Sequence, residues 1–288
     1  MYTRYCRSVL CTPATSPDLY AKCHRSGADI CLVDLEDSVS ARRKKEARSQ
    51  AGAFFSTALG MARHCAVRIN ALTESEGLRD LLAIQDYPVK PAVVLVPKVE
   101  SPRDVEIVEQ VLRPRCPGVE LFAVLETPRG VEHAAEIAAA SGSLRALIFG
   151  AADYAASLGI DVDWEPLVYA RARVVNGAHT AGIHVIDSPT FDLTDAKVTH
   201  REAELALALG FSGKIALNPA QVAVINEVFS PGMEQLERAA RVVDAARRSA
   251  DDVTTVDGGM LGRPFFEASR RLLDEFGTPD GALRMWHE

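Results

Sequence analysis

Eight short apolar runs, each typical of a buried parallel strand, predict an α/β fold: a (β/α)8 TIM barrel with a C-terminal helical extension. The segments between the runs are long enough for crossover helices, which need about a dozen residues. Polar residues follow most of the runs, and no glycine-rich phosphate loop follows the first run. These two features favour a closed barrel over an open doubly wound sheet, which is the competing fold.

The predicted strands lie at 8–12, 30–35, 66–70, 92–98, 120–126, 146–150, 184–188 and 214–218. The predicted helices between them lie at 18–26, 44–60, 77–84, 102–112, 130–140, 166–181 and 199–209. Ser-Pro pairs at 16–17 and 101–102 are helix start signals, and Gly27, Gly182 and Gly210 stand where left-handed C-caps favour glycine.

The alternation of predicted strands and helices ends after Pro219. Helices are predicted at 221–229, 233–249 and near 265–276, with a less regular stretch at 251–263. We therefore expect a catalytic barrel domain in residues 1–230. The helical extension in residues 231–288 is expected to pack on the barrel or on a neighbouring subunit.

Composition argues against two kinds of binding partner and indicates the redox state of the compartment. The net charge of −7 argues against a nucleic-acid partner, which requires a basic face. No apolar stretch approaches the ~20 residues that span a bilayer, so no membrane partner is expected. The six cysteines form no CxxC pair, which favours structural thiols in a reducing, cytoplasmic location.

Acidic residues close two of the apolar runs. Glu126 ends the fifth run, and Asp153 comes just past the sixth. The carboxyl ends of parallel strands meet at one mouth of a barrel, where ligands bind. Two carboxylates without a nearby thiolate or imidazole suit Mg²⁺, so Glu126 and Asp153 are the candidate metal ligands. Arg68, in the third run, is the candidate clamp for a substrate carboxylate.

Other polar residues at run ends are expected at the same mouth. They are Asp34, Glu36, Asp37, Asn70, Lys98, Glu100, Asp187 and Asn218. Each also has a structural interpretation that the sequence leaves open. Glu126 and Asp153 could cap helices or form ion pairs, residues 34–37 could form an acidic turn, and Arg68 could pair with those acids. Lys98 is a candidate for a Schiff base but more commonly an ion-pair partner.

Several short motifs occur in an order that resembles a known family. The motifs are RSVL at 7–10, AD at 28–29, DLED at 34–37, KEAR at 45–48, VRIN at 67–70, VPKVES at 96–101, ETPRG at 126–130, FGAAD at 149–153, GK at 213–214, PAQV at 219–222 and FSP at 229–231. The pattern is similar to the citrate lyase β-subunit group of the HpcH/HpaI aldolase superfamily, which includes malyl-CoA and citramalyl-CoA lyases. The resemblance covers roughly residues 7–275.

The resemblance implies an Mg²⁺-dependent TIM-barrel lyase that forms homotrimers or hexamers. It implies that Glu126 and Asp153 hold the metal, that Arg68 grips the carboxylate of an α-keto acid, and that Glu36 and Asp37 line the pocket with catalytic roles. The expected substrates are a keto acid and a CoA thioester. Arg7, Arg42, Arg43 and Lys44 could contact the CoA phosphates or could equally form a solvated face.

Two positions depart from the family pattern. The tail DGGMLGRP at 257–264 has Gly262 where the CoA lyases place an aspartate that enters a neighbouring active site. Asn218 stands where the family usually has histidine. Three interpretations remain open: a C–C lyase whose base is Asp37 or Glu36, a diverged aldolase or malyl-CoA-type thioesterase, and a non-catalytic binding subunit.

Overall fold

The computed structural model describes residues 6–57, 65–248 and 253–277. The chain folds as two units, Met1–Phe229 and Ser230–Glu288. In the first unit, eight parallel strands pair in sequence order, and β8 pairs with β1 to close a barrel. The predicted (β/α)8 barrel is therefore confirmed. None of the helices in the described part of the chain is long and apolar enough to cross a membrane.

All eight predicted strands are present in the barrel, most of them shorter by a few residues than predicted. They are β1 Ser8–Pro13, β2 Ile30–Asp34, β3 Cys65–Arg68, β4 Val93–Val96, β5 Glu120–Leu125, β6 Leu144–Phe149, β7 His184–Asp187 and β8 Gly213–Ala216. Alternate strand residues point into the barrel, where Leu32, Ala66, Phe122, Ile148 and Ile215 form one apolar cluster. The intervening residues face the helices and belong to a second, larger cluster.

The helices of the first unit surround the strands. They are α1 Tyr20–His24, α2 Lys44–Phe54, α3 Ser75–Asp86, α4 Pro102–Leu112, α5 Pro128–Glu132, α6 Ala134–Ala138, α7 Ala151–Leu158, α8 Trp164–Ala181, α9 Ala196–Leu209 and α10 Pro219–Val228. Short 3-10 turns at Pro17–Leu19 and Ala41–Arg43 precede α1 and α2. The helix predicted at 44–60 is too long, because α2 ends at Phe54 and residues 55–57 form turns; residues 58–60 lie outside the described part of the chain.

One further helical prediction for this unit was wrong in detail, and one helix was missed. The single helix expected at 130–140 is two short helices, α5 and α6, which meet at His133. Helix α7 was not predicted, because its alanine-rich sequence continues the apolar run of β6 without a polar break. Asp153 therefore lies in the first turn of α7 rather than in a loop after a strand.

The second unit contains a β-hairpin where the sequence predicted an irregular stretch. Its elements are α11 Met233–Arg248, β9 Val253–Val256, β10 Gly259–Gly262 and α12 Arg263–Phe276, and α11 packs against α12. Asp257 and Gly258 both have positive φ, which is the geometry of a two-residue hairpin turn. The Asp-Gly pair was the missed signal. The position of this extension on the barrel or on a neighbouring subunit stays a prediction.

An ion-pair network with a buried centre at Asp187, Lys214 and Arg171 lies outside the barrel wall, between the last strands and helices α8 and α9. Lys214 Nζ donates to Asp187 Oδ2 at 2.8 Å, and Arg171 Nε donates to Asp187 Oδ1 at 2.9 Å. Lys214 Nζ is also 3.3 Å from Glu202 Oε2. Burial raises the pKa of Asp187, but Lys214 and Arg171 outweigh it, so the pKa is lowered below its ordinary value.

We predict that Lys214→Met lowers the free energy of unfolding by about 3 kcal/mol at pH 7, because it leaves buried carboxylate charge without one of its cations. The folded-state pKa of Asp187 is depressed, so its contribution is fully present above the unfolded value of about 4. That contribution is lost as the pH falls through the folded-state pKa.

Urea unfolding at several pH values measures this difference. The difference in unfolding free energy between the wild type and Lys214→Met is expected to be constant above about pH 4 and to shrink below it. Lys197→Met, on the exposed face of α9, is the matched control and should have little effect. A variant as stable as the wild type at pH 7 would contradict the assigned role of the network.

Candidate active site

A cavity of about 340 Å³ opens at the carboxyl ends of the barrel strands. Its polar lining residues are Asp34, Asp37, Ser38, Arg68, Glu126 and Asp153. Its apolar lining includes Leu32, Leu95, Val124, Ile148, Pro189, Phe191, Ile215 and Leu217. The structure therefore brings together four of the six predicted site residues, Asp37, Arg68, Glu126 and Asp153, in one cavity.

Arg68 and Asp34 form a bidentate ion pair at the bottom of this mouth. They are directly opposed in the register of β2 and β3. Arg68 donates from Nε to Asp34 Oδ1 at 2.6 Å and from Nη2 to Asp34 Oδ2 at 2.8 Å. Burial raises the pKa of Asp34, but Arg68 outweighs it and the pKa is lowered. The pair fixes the plane of the guanidinium group. It uses Nε and Nη2, so Nη1 takes no part in the contact with Asp34.

Glu36 lies between two cations. Its Oε1 accepts from Lys98 Nζ at 2.8 Å, and its Oε2 is 3.1 Å from Arg68 Nη1 but accepts no hydrogen bond. Burial raises the pKa of Glu36 to about 7, although Arg68 and Lys98 lower it. Glu36 does not line the cavity, and its contacts suit it to positioning Arg68 and Lys98.

Asp37 has a different environment from Glu36. Its side chain is 53% exposed, it lines the cavity, and its Oδ2 accepts from Arg68 Nη1 at 3.3 Å. Of the two acidic residues predicted to be catalytic, Asp37 is therefore the one that a bound ligand can reach.

Glu126 is buried directly after β5, and its carboxylate lies between the backbone of Lys98 and Gly150. Its Oε1 accepts from the backbone N–H of Lys98 at 2.8 Å. Lys98 adopts a left-handed backbone with φ of 51°, a conformation that few non-glycine residues adopt. On the other side, a Cβ at Gly150 would lie 2.6 Å from Glu126 Oε2, so only glycine leaves room for the carboxylate.

The carboxylates at the mouth repel one another. Burial, followed by the charges of Glu36 and Asp153, raises the pKa of Glu126 to about 8. Asp153 is half-buried in the first turn of α7, where the positive end of the helix dipole favours a carboxylate. A cation bound between Glu126 and Asp153 would relieve the repulsion and stabilise both ionised forms.

The residues present fit a magnesium ion. Glu126 and Asp153 supply only oxygen, which Mg²⁺ prefers, and Mg²⁺ commonly uses one or two carboxylates with water and substrate oxygens as its other ligands. Among the described residues, no group of three or more His, Cys, Asp or Glu side chains is arranged to hold a metal. Two protein carboxylates are therefore what this chain would contribute.

Some predicted site residues lie elsewhere. Arg7 precedes β1, at the opposite end of the barrel, and its Nε and Nη2 pair with Asp29 at 3.0 and 2.8 Å. The structure does not bring Arg7 to the cavity. Asp187 was expected at the mouth but faces outward, because Ile186 occupies the inward position beside it. Asn70 donates to Asp80 at 2.6 Å and does not line the cavity.

Sequence reasoning missed the supporting residues around the carboxylates. Gly150 was passed over as part of an apolar run, although glycine directly after a strand often marks a close approach. Lys98 was expected more commonly as an ion-pair partner than as a Schiff-base lysine, and its ammonium group does pair with Glu36; the missed contact is the one from its backbone N–H to Glu126. Asp34 was expected at the mouth and does line the cavity, and strand parity gives the reason, because Asp34 follows the inward residue Leu32 by two positions.

Comparison with known proteins agrees with the family resemblance of the sequence motifs. A sequence model described as HpcH/HpaI aldolase/citrate lyase matches residues 7–219. The chain is 35% identical to a citrate lyase subunit beta-like protein of Deinococcus radiodurans, over 93% of this chain and 96% of that one. It is 32% identical to citrate lyase subunit beta of Escherichia coli, over 94% and 93%. It is 30% identical to an L-malyl-CoA/beta-methylmalyl-CoA lyase of Cereibacter sphaeroides, over 88% and 89%.

Solved structures show the same architecture. RipC from Yersinia pestis is 36% identical with a TM-score of 0.72, covering 82% of this chain and 100% of that one. CitE from Mycobacterium tuberculosis is 27% identical with a TM-score of 0.81, covering 95% and 99%. That CitE structure is a complex with magnesium, acetoacetate and coenzyme A.

We predict that Gly150→Ala weakens Mg²⁺ binding by about 10-fold or more, because the added Cβ displaces the Glu126 carboxylate. Isothermal titration calorimetry with MgCl₂ measures the affinity. Gly142→Ala is the matched control, since a Cβ there meets nothing within 4 Å. Equal Mg²⁺ affinity in the two variants would show that the Glu126–Gly150 contact does not shape a metal site.

Proposed function

This chain belongs to the HpcH/HpaI aldolase/citrate lyase family, and we propose that it is an Mg²⁺-dependent carbon–carbon lyase. It would cleave a β-hydroxyacyl thioester into an acyl-CoA and an α-keto acid. The observation that carries the proposal is the grouping of Arg68, Asp37, Glu126 and Asp153 around one cavity at the barrel mouth. The lyases among its relatives and the magnesium in the CitE structure support the proposal.

Arg68 would bind the substrate carboxylate. Asp34 occupies its Nε–Nη2 edge and prevents the guanidinium group from rotating, while Nη1 contacts Glu36 at 3.1 Å and Asp37 at 3.3 Å. The substrate carboxylate would displace Asp37 from Nη1 and so reach the Nη1–Nη2 edge, whose plane is fixed. A carboxylate that accepts two parallel N–H bonds from this edge is held in one orientation. That fixed orientation places the carbon–carbon bond to be cleaved in one position relative to Asp37.

Glu126 and Asp153 would hold the magnesium ion, which supplies Lewis acidity at the hydroxyl oxygen that becomes the keto oxygen. Asp37 would accept the hydroxyl proton, since it is the acidic residue beside Arg68 that faces the cavity. The bond between the carbinol carbon and the α-carbon then breaks, and its electron pair forms the thioester enolate. Protonation of the enolate carbon completes the acyl thioester.

Thioester hydrolysis is a second candidate, favoured by one observation. Gly262, at the end of β10, has no ionisable group at the position where the CoA lyases are expected to have an aspartate. Without that group, protonation of the enolate would depend on Asp37 or on solvent, and loss of the CoA thiolate could compete. The homotrimeric or hexameric state implied by the resemblance stays a prediction.

A product analysis separates the two candidates. The purified protein is incubated with Mg²⁺ and malyl-, methylmalyl-, citramalyl- or citryl-CoA, and mass spectrometry identifies the products. The proposal expects acetyl-CoA or propionyl-CoA together with a keto acid. Free CoA with an intact hydroxy acid would establish a thioesterase instead, and turnover of none of the four would contradict both.

We predict that Glu126→Gln reduces kcat/KM at saturating Mg²⁺ by about 100-fold or more, because the amide cannot supply the anionic ligand. Steady-state kinetics over a range of Mg²⁺ concentrations measures the effect. Glu106→Gln, on the exposed face of α4, is the control and should behave as the wild type. Full activity with unchanged Mg²⁺ dependence in Glu126→Gln would remove Glu126 from the metal site.

We predict that Arg68→Ala weakens binding of the keto acid by about 100-fold, since two charge-assisted hydrogen bonds are lost. Binding of CoA should change by less than about 3-fold, because the two ligand groups make separate contacts. Calorimetric titration of each ligand measures both affinities, and circular dichroism verifies the fold. An equal loss of affinity for both ligands would indicate that Arg68 supports the structure rather than the carboxylate.

A further inference from the structure

A buried arginine on α8 contacts the part of the cavity wall that carries Asp153. Residues 149–153, here called the wall segment, run from the end of β6 into the first turn of α7 and line the cavity. Arg171 is 4% exposed and does not line the cavity. Its guanidinium carbon lies 5.2 Å from the ring centroid of Phe149, the first residue of the wall segment. Arg171 therefore supports the wall segment from the helix side of the barrel.

Contacts with the end of β7 and with its own helix hold Arg171 in place. Its Nε donates to Asp187 Oδ1 at 2.9 Å, and its Nη2 donates to Ser188 Oγ at 3.4 Å. Its guanidinium carbon also lies 4.3 Å from the ring centroid of Trp164. Trp164 and Arg171 are seven residues apart on α8, so they lie on one face of the helix, and a helical side chain leans toward the N-terminal turn. The guanidinium group thus joins α8 to the ends of β6 and β7.

The wall segment is closely packed against Glu126 and within α7. A Cβ at Gly150 would lie 2.5 Å from Glu126 Cβ, so there is no free space between the two residues. The ring centroids of Phe149 and Tyr154 are 5.6 Å apart, and the carbonyl oxygen of Gly150 accepts from the backbone N–H of Tyr154 at 3.2 Å. Asp153 directly precedes Tyr154 in α7. A shift of Phe149 would therefore change the separation of Glu126 and Asp153.

Charge pairing with Asp187 does not explain why this position has an arginine. Lys214 Nζ already donates to Asp187 Oδ2 at 2.8 Å, so the carboxylate has a second cation. Arg171 Nη1 is buried and donates no hydrogen bond, so the guanidinium group is not fully used as a donor. Its flat faces are what the aromatic rings contact. A lysine could keep the ion pair but could not reproduce the planar contact with Phe149.

We propose that Arg171 is a positioning residue for the metal ligands Glu126 and Asp153, and that it acts through its contact with Phe149. The inference rests on the magnesium site of the function proposed above. The contact holds the wall segment at one distance from β5, and this distance sets the separation of the two carboxylates. Arg171 itself would contact neither the ion nor the substrate, because it lies outside the cavity.

The test separates the position of the wall segment from the stability of the fold. Arg171→Lys keeps a cation beside Asp187 but loses the planar contact with Phe149. Isothermal titration calorimetry with MgCl₂ is expected to show an affinity lower by about 10-fold or more, as for other contacts that orient metal ligands. Urea unfolding of the same variant measures its stability, and circular dichroism verifies its fold. Unchanged Mg²⁺ affinity in Arg171→Lys would overturn the proposal.

Lys214→Met is the matched control for a loss of stability. Lys214 pairs with the same Asp187 carboxylate, but it does so from β8, two strands away from β6. This variant is expected to be destabilised and still to bind Mg²⁺ within about 2-fold of the wild type, because the two sites do not share a contact. An equal loss of Mg²⁺ affinity in Lys214→Met and Arg171→Lys would indicate a general effect of destabilisation and overturn the proposal.

A second variant keeps the test decisive if Arg171→Lys does not fold. Trp164→Leu leaves every charge of the network in place and removes the half-buried ring that holds the guanidinium group over Phe149. It is expected to weaken Mg²⁺ binding by about 3-fold or more. Mg²⁺ affinity equal to that of the wild type in folded Trp164→Leu would contradict the proposed role of the aromatic contacts.

The outcomes separate this inference from the proposed function. If Arg171→Lys loses Mg²⁺ affinity and Lys214→Met does not, the positioning role stands even where the wild type cleaves none of the four thioesters and the lyase function fails. If the wild type cleaves a thioester and all the variants bind Mg²⁺ equally, the inference fails and the lyase function stands. If the wild type does not bind Mg²⁺, the inference and the proposed metal site fail together.

Discussion

The electrostatic repulsion among carboxylates at the barrel mouth is the constraint on which the site depends. Closure of the barrel forces the ends of β2, β3, β5 and β6 together, so Asp34, Glu36, Glu126 and Asp153 share one partly desolvated space. Arg68 and Lys98 neutralise the β2 side through direct ion pairs. Glu126 accepts a hydrogen bond from the backbone N–H of Lys98 and forms no ion pair among the described residues, and burial together with the charges of Glu36 and Asp153 raises its pKa. A cation beside Glu126 would offset this repulsion, and this is the basis of the proposed magnesium site.

Acidic and basic residues that point to the outer side of the barrel strands have a different role. Asp187 and Lys214 also lie near strand ends, but both point away from the barrel interior and pair with each other in full burial. Lys214 and Arg171 compensate the charge of Asp187, so this carboxylate serves the supporting structure. Strand parity thus decides whether an acidic residue at the end of a strand belongs to the site or to the supporting structure.

Much of this organisation could be predicted from the sequence. The eight strands were predicted because buried parallel strands are continuous apolar runs, and the strand-end positions of Arg68 and Glu126 followed from the same runs. The cavity confirms that the predicted residues Asp37, Arg68, Glu126 and Asp153 lie together. Their catalytic and metal-binding roles stay predictions. Arg7 was placed in the substrate site on a resemblance alone, and its position before β1 puts it at the other end of the barrel.

The supporting contacts could not be predicted in the same way, because they depend on distances between segments far apart in the chain. The approach of Gly150 to Glu126 and the left-handed backbone of Lys98 have no periodic signal. The departures at Asn218 and Gly262 were visible in the sequence, and the structure gives Asn218 a role in fixing the loop after β7.

The central claim is that the site breaks a carbon–carbon bond and forms a thioester enolate. The most direct test is cleavage of citramalyl-CoA with Mg²⁺ in D₂O, followed by mass spectrometry of the acyl-CoA product. The account predicts acetyl-CoA that carries one deuterium atom on its methyl carbon, formed together with pyruvate. Free CoA with intact citramalate and no acetyl-CoA would contradict it, because the thioester bond would then be the one that breaks.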